Sequence, residues 1–261
     1  MTAHRLNHRR TRAALVLAGI AGLALAAPAE AQGGGKGFLF QEPRWTFALR
    51  GGFDRANANS DIFEFVTDEL TLERKDFSGL HLAADLAFSV VPRVDLVFGA
   101  SRTSSSTPSE SRKYIGTDDL PILQTTKFAR TAFTGTLKGY LTPRGQTIGT
   151  LAWVPARFSP FVGVGGGVMR YKFEQEGEFV DAESPNLDIF QDRLTSDAWT
   201  PTVHGLAGLD ISLTPHLGVT TEARYSWARG EMGNGRDGDF LGFDRIDLSG
   251  FSATMGFHVR F

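Results

Sequence analysis

The sequence predicts an all-β fold: an eight-stranded antiparallel up-and-down transmembrane β-barrel formed by residues 44–261. Three observations carry this expectation. Apolar and polar residues alternate with period two over long segments. There are eight such segments, several of them longer than ordinary soluble strands. The connections between them alternate between long and short.

The C-terminal segment shows the alternation most clearly. Phe251, Ala253, Met255, Phe257, Val259 and Phe261 are apolar, while Ser252, Thr254, Gly256, His258 and Arg260 are small, polar or charged. A helix repeats every 3.6 residues and cannot put such a set on one stripe, but a strand does so automatically. Leu80, Leu82, Leu86 and Phe88 oppose His81 and Asp85 in the same way, and Val203, Leu209 and Ile211 oppose His204 and Asp210. Trp45, Phe47, Leu49 and Phe53 oppose Arg50 and Asp54. Leu96 and Phe98 oppose Asp95, Phe133 and Leu137 oppose Lys138, and Val219, Ala223 and Tyr225 oppose Glu222 and Arg224. The segment from Phe161 to Lys172 is a strand by its Val, Phe and Tyr content, but its glycines leave its facing open. The expected strands are 44–54, 79–91, 94–103, 130–142, 159–173, 198–213, 217–229 and 247–261. Tilted strands of about 9–11 residues cross a bilayer. An even number of them can close with no edge left in lipid.

The links 55–78, 104–129, 174–197 and 230–246 are long, whereas Val91-Pro92-Arg93 and Thr214-Pro215-His216 are tight. This is the pattern of a barrel with long outer loops and short periplasmic turns. The link 143–158, with Pro143, Trp153 and Pro155, is long for its side and is expected along the membrane surface. Trp45, Tyr171, Trp199, Tyr225, Trp227 and Phe261 fall near strand ends, where aromatic girdles sit.

The N-terminus reads as an address. Arg5, Arg9, Arg10 and Arg12 precede the apolar run Ala13–Ala27, and Ala29-Glu30-Ala31 supplies a small-x-small cleavage site. Residues 1–31 are therefore expected to be a signal peptide and 32–43 a flexible leader. Beyond it no apolar stretch approaches the roughly 20 residues of a spanning helix. The chain has 21 phenylalanines and no cysteine, so disulfides, thiolate metal sites and a cysteine nucleophile are excluded. The expected mature chain holds 23 basic and 28 acidic residues, which is no footprint for nucleic acid.

On the signal peptide and the terminal strand ending in Phe261, the chain resembles the small eight-stranded outer-membrane barrels, the OmpA-like and OmpW-like proteins. The resemblance covers the mature chain and is one of architecture. It implies outer-membrane location in a Gram-negative-type envelope, contact with outer-membrane lipid, and a monomer. It also implies that Phe251, Met255, Phe257, Val259 and Phe261 form the signal read by the barrel assembly machinery. No second domain is expected after the barrel, and the long turn 143–158 departs from the pattern.

Catalytic and cofactor signals are thin. His81, His204 and His258 lie on polar faces, and a histidine beside a serine and an acid inside a barrel can build an acyl hydrolase. No His-x-Ser pattern occurs at any of the three, so each reads as a hydrogen-bonded lumen histidine. Gly163, Gly165, Gly166 and Gly167 superficially look like a phosphate loop, but strand residues follow where a helix N-terminus is needed. Asn234–Asp239 lacks the acids of a calcium loop and reads as a polar turn. No cofactor or metal is expected. Residues 54–76 and 172–197 carry net charges of −4 and −6, an acidic rim that could attract divalent cations.

The inward charges Arg50, Asp85, Asp95, Lys138, Asp210, Glu222, Arg224 and Arg260, with His258, are expected to neutralise one another. Counting from the tight-turn end puts Arg50 level with Asp85, Glu222 with Arg224, and Asp210, His258 and Arg260 in a lower layer. An interior of eight strands is about filled by side chains. On the terminal strand, Met255→Arg should impair insertion and Thr254→Arg should be better tolerated. The expected function is a non-enzymatic integral outer-membrane protein with an envelope-structural role or that of a narrow, porin-like solute channel. The rivals are a lipid-modifying barrel enzyme and a secreted lipocalin-like lipid-binding barrel.

Overall fold

The computed structural model describes residues 37–116, 119–149, 151–181, 184, 188–232 and 240–261. The signal peptide, the leader up to residue 36 and the Asn234–Asp239 turn lie outside the described residues. Eight long strands form the barrel wall: β1 (Trp45–Ala56), β2 (Gly79–Val91), β3 (Val94–Ile115), β4 (Pro121–Tyr140), β7 (Phe158–Val180), β8 (Ile189–Ser212), β9 (Leu217–Glu231) and β11 (Gly250–Arg260). Between β4 and β7 lies the hairpin β5 (Gly145–Ile148) and β6 (Ala152–Pro155). A short strand β10 (Arg245–Asp247) pairs with β9 just before β11. Every neighbouring pair in the wall is antiparallel, and the ring closes through β8–β9 and β11–β1.

The alternation decides which face sees which solvent. Leu80, Leu82, Phe98, Phe133, Leu137, Val164, Val203, Met255 and Phe257 all point outward and are about half exposed or more. Arg50, Asp85, Asp95, Asp210, Arg224 and His258 point inward and are buried. An apolar belt around a polar interior is the reverse of a soluble lipid-carrying barrel. It is the surface of a barrel that crosses a membrane with strands. No helix among the described residues is long and apolar enough to cross one.

Three features differ from the sequence expectations. First, β3 and β4, and likewise β7 and β8, run far past the expected strand ends. The expected loops 104–129 and 174–197 are mostly paired strand, with Ser104↔Ala129 to Glu110↔Leu123 and Lys172↔Asp197 to Val180↔Ile189 in register. These stretches leave the belt, so neither face has to be apolar and the alternation that marks a membrane strand is lost. Second, the link 57–78 contains a helix, α1 (Asp61–Glu69), and a 3₁₀ turn at Arg74–Phe77. Ile62, Phe63 and Val66 lie on one helical face and are buried inside the barrel mouth. Third, Trp153 is buried and pairs with Leu39, so the hairpin folds back on the leader.

The glycines of β7 resolve its facing. Gly163 and Gly165 point inward beside Leu206 and His204, and a Cβ on Gly165 would stand 2.8 Å from His204 Nε2. They make room for bulkier inward side chains on β8, as glycine in a packed strand often does.

Candidate functional site

The lumen gathers the chemistry-bearing side chains in stacked layers. At mid-barrel Arg50 on β1 reaches two acids. Its Nη2 lies 2.5 Å from Asp85 Oδ2 on β2, and its Nη1 lies 2.7 Å from Glu222 Oε1 on β9. Arg224 Nε donates to Glu222 Oε1 at 3.0 Å, and Arg50 Nη1 also donates to Thr254 Oγ1 at 2.9 Å. Two cations and two anions therefore share one plane, linked by β1, β2, β9 and β11. Each strand delivers its charge through side-chain parity alone.

Above this plane Arg130 pairs with Asp54 and donates from Nη1 to the Leu248 carbonyl at 2.8 Å. His81 Nδ1 lies 2.8 Å from Thr103 Oγ1 and 3.9 Å from Asp54 Oδ2. His204 Nε2 lies 2.8 Å from Thr136 Oγ1. Neither histidine is bonded to a serine, so neither forms the start of a nucleophile relay.

Below it, Lys138 Nζ and Tyr140 Oη both donate to Asp210 Oδ2 at 3.0 Å. Lys138 Nζ also lies 3.6 Å from the centre of the Phe161 ring, within cation–π range. Among the described residues, no hydrogen bond or salt bridge links the expected lower-layer group Asp210, His258 and Arg260 to one another. Asp210 is taken by Lys138, and Arg260 Nη1 donates instead to Ser212 Oγ at 2.9 Å. His258 makes no side-chain hydrogen bond among the described residues. Asp95 pairs not with a wall strand but with Arg144, from the segment beneath the barrel, at 3.2 Å.

The top of the interior is apolar rather than charged. Phe63 of α1 packs edge-on against Phe77, Phe128 and Phe173, with ring centres 4.6, 5.5 and 5.8 Å apart. Tyr171, Phe240, Ile246 and Leu248 extend this cluster. Tyr171 thus leaves the expected girdle. Its side chain is fully buried, and its hydroxyl donates to the Glu231 carbonyl at 2.5 Å. Asp247 ties α1 to the wall: its Oδ2 accepts from Asn59 N at 3.3 Å, while its own N–H donates to Ser60 Oγ at 3.1 Å.

Little space remains between these layers. A cavity of about 30 Å³ is bounded by Arg50, Asp85, Lys138, Asp210 and Glu222, and one of about 20 Å³ lies by His81 and Arg130. Small-molecule sites are roughly 300–1,000 Å³, so neither cavity holds an organic ligand. No cluster of three His, Asp or Glu with metal-holding geometry occurs among the described residues.

Outside the belt, acids of the expected rim are matched by bases. Lys127 Nζ lies 2.9 Å from Glu174 Oε1 and 2.7 Å from Glu176 Oε2, and Lys172 Nζ lies 2.5 Å from Glu174 Oε2. Arg193 Nη2 lies 2.5 Å from Glu176 Oε1. Hydrogen bonds from Lys127 and then Arg193 hold the Glu176 carboxyl down at about 2.

No family model matches the chain, and no curated protein matches it. Solved structures similar to it are outer-membrane proteins. Neisserial surface protein A is 10 % identical, with 83 % of this chain and 96 % of that one covered, at a TM-score of 0.47. OprG from Pseudomonas aeruginosa is 17 % identical, with 85 % and 99 % covered, at 0.43. The outer membrane protease OmpT from Escherichia coli is 10 % identical, with 89 % and 99 % covered, at 0.41. The chain resembles these barrels. Its own strand register and apolar belt establish the architecture.

Sequence reasoning missed Arg130, Arg144 and Glu42 as lumen or lumen-edge groups, and it put Asp54 on the polar face of its strand but left it out of the lumen charge set. Arg130 was readable, since it shares its parity with Lys138 on β4. Asp54, the last residue of the expected strand, was counted with the acidic rim, but β1 continues to Ala56 and holds it inside the barrel. Arg144 lies in a turn, where parity has no meaning.

Proposed function

We propose that this chain is an integral outer-membrane barrel, exported by a cleavable signal peptide at residues 1–31, with a non-enzymatic, envelope-structural role. The observation that carries this reading is the filled lumen. It combines an aromatic plug at the long-loop end, paired charges at mid-barrel and, at the lower end, Arg144 buried against Asp95. The narrow-channel reading needs a continuous path, which these three levels interrupt. The lipid-enzyme reading needs an accessible nucleophile and base, whereas His81 and His204 are buried beneath the plug. Outer-membrane lipid would contact the belt, and the barrel assembly machinery would read Phe251–Phe261.

A cell lacking the chain tests this reading. Its outer membrane should become more detergent-sensitive while uptake of small solutes is unchanged. Lost uptake with an intact barrier would favour the channel. Hydrolysis or transfer of lipid by the purified protein would favour the enzyme. Fractionation with heat-dependent gel mobility checks the location.

A further inference from the structure

At the lower end of the barrel sits a piece that is not part of its wall. The β4–β7 ladder ends at Tyr140↔Phe161, with one more bond from Leu141 N to the Pro160 carbonyl at 2.9 Å. The chain then leaves the wall, forms the β5–β6 hairpin and returns at Phe158. Among the described residues, the hairpin pairs only with itself and with the leader. Leu39 and Trp153 exchange both backbone hydrogen bonds, at 2.8 and 2.7 Å. The Trp153 ring packs against Gly145, where a Cβ would come within 2.5 Å of it, and the Leu39–Trp153 bridge joins this hairpin to the leader.

Arg144 fastens that unit to the lumen. It is buried, and it donates to Asp95 Oδ2 at 3.2 Å, Ser89 Oγ at 2.7 Å and Glu42 Oε1 at 2.8 Å. Its guanidinium also stands 5.4 Å from the centre of the Tyr140 ring. One side chain therefore joins two wall strands, the leader and the base of the hairpin. The wall registers of β1, β2, β3, β4 and β7 do not involve the hairpin, and its return is anchored at Arg157, whose carbonyl accepts from Ser212 N of β8 at 3.0 Å, so releasing the part between Leu141 and Arg157 breaks no ladder bond of the barrel.

We infer that the leader residues 38–43 and the β5–β6 hairpin form a hinged floor, with Arg144 as its bolt. Opening this floor exposes the lower lumen while the aromatic plug keeps the upper end shut. The lower lumen is thus a vestibule reachable from the tight-turn side alone. The hinges are residues 142–143 and the 156–157 link, because Leu141 and Arg157 are bonded to the wall while Arg144 and Ala156 are bonded to each other. The device needs only the barrel geometry and holds whether or not the envelope-structural reading stands.

The chain contains no cysteine, so single introduced thiols report access cleanly. Ala87 faces the lower cavity, and Ala132 lies in the apolar cluster under the plug. The full-length protein carrying Ala87→Cys or Ala132→Cys would be treated in detergent micelles with a small charged methanethiosulfonate. Adding Arg144→Ala should speed labelling of the Ala87→Cys protein at least tenfold and leave the Ala132→Cys protein slow. The pair Leu39→Gly with Glu42→Gln spares the lumen charges. It should shift labelling at position 87 in the same direction by a smaller factor, and it serves if Arg144→Ala does not fold. Labelling at position 87 that neither change accelerates would overturn the floor. Equal acceleration at position 132 would overturn it too, because that reports loosening of the whole barrel.

Discussion

Glu222 is the residue on which the mid-barrel plane depends, because among the described residues it alone pairs with both Arg50 and Arg224. Glu222→Ala leaves two guanidinium groups in a buried layer with one carboxylate, Asp85, which among the described residues is bonded to Arg50 only. Removing one partner of a buried ion pair costs roughly 3–5 kcal/mol, less where water enters. Urea unfolding in micelles should therefore show a loss of that order for Glu222→Ala and a smaller one for Glu222→Gln, which keeps a hydrogen-bond acceptor. A loss below about 1 kcal/mol for Glu222→Ala would fit an exposed pair instead. Thr254 belongs to the same plane through its bond from Arg50. That argues against the expectation that Thr254→Arg is better tolerated than Met255→Arg: an added cation there meets Arg50 in the plane that also holds Arg224, so Thr254→Arg should be as damaging as Met255→Arg, for a different reason. Met255 is 62 % exposed to the belt, where an arginine costs about 2–4 kcal/mol near the bilayer midplane. Comparing folding yields of Thr254→Arg, Thr254→Val and Met255→Arg separates the two causes, and only Thr254→Val should fold nearly normally.

At the scale of elements, α1 acts as a stopper. Phe63 is fully buried and makes three edge-on aromatic contacts. Truncating such a side chain costs roughly 3–5 kcal/mol. Phe63→Ala should raise hydrogen exchange through Asp61–Glu69 while the β1–β2 ladder stays protected. Uniform deprotection of both would show that α1 is integral to the wall rather than a plug. The extensions of β7 and β8 carry their own signal in the Glu176 ladder. A carboxyl held at about 2 stabilises the folded form above its ordinary value of 4.5, and that stabilisation is lost as pH falls from there toward 2. Exchange at Glu174–Glu178 should therefore rise between pH 4.5 and 2, and Lys127→Met should move the rise to higher pH. The wall strands were legible in the sequence because lipid outside and charge inside force a strict alternation, as in Phe251–Phe261. The extensions were not, since water bathes Lys127, Glu176 and Arg193 and places no demand on parity. The helix was hidden for a different reason. Ile62, Phe63 and Val66 show helical spacing, but only the closed barrel supplies the aromatic pocket that makes a nine-residue helix worth forming. Arg50 and Asp85 could be matched by height, whereas Asp95 and Arg144 could not, because a turn has no height to count.

At the scale of the molecule, the barrel is filled by three different means: aromatic packing at the long-loop end, compensated charge at the middle and a bolted floor below. These act in series, so opening one leaves the other two in place. The central claim is that no continuous aqueous path crosses the membrane through this lumen. Single-channel recording of the purified protein in planar bilayers tests it most directly. The wild-type protein and Arg144→Ala should both be silent, and steps should emerge only when Arg144→Ala is combined with Phe63→Ala and Glu222→Ala. A large, steady conductance from the wild-type protein would contradict the account.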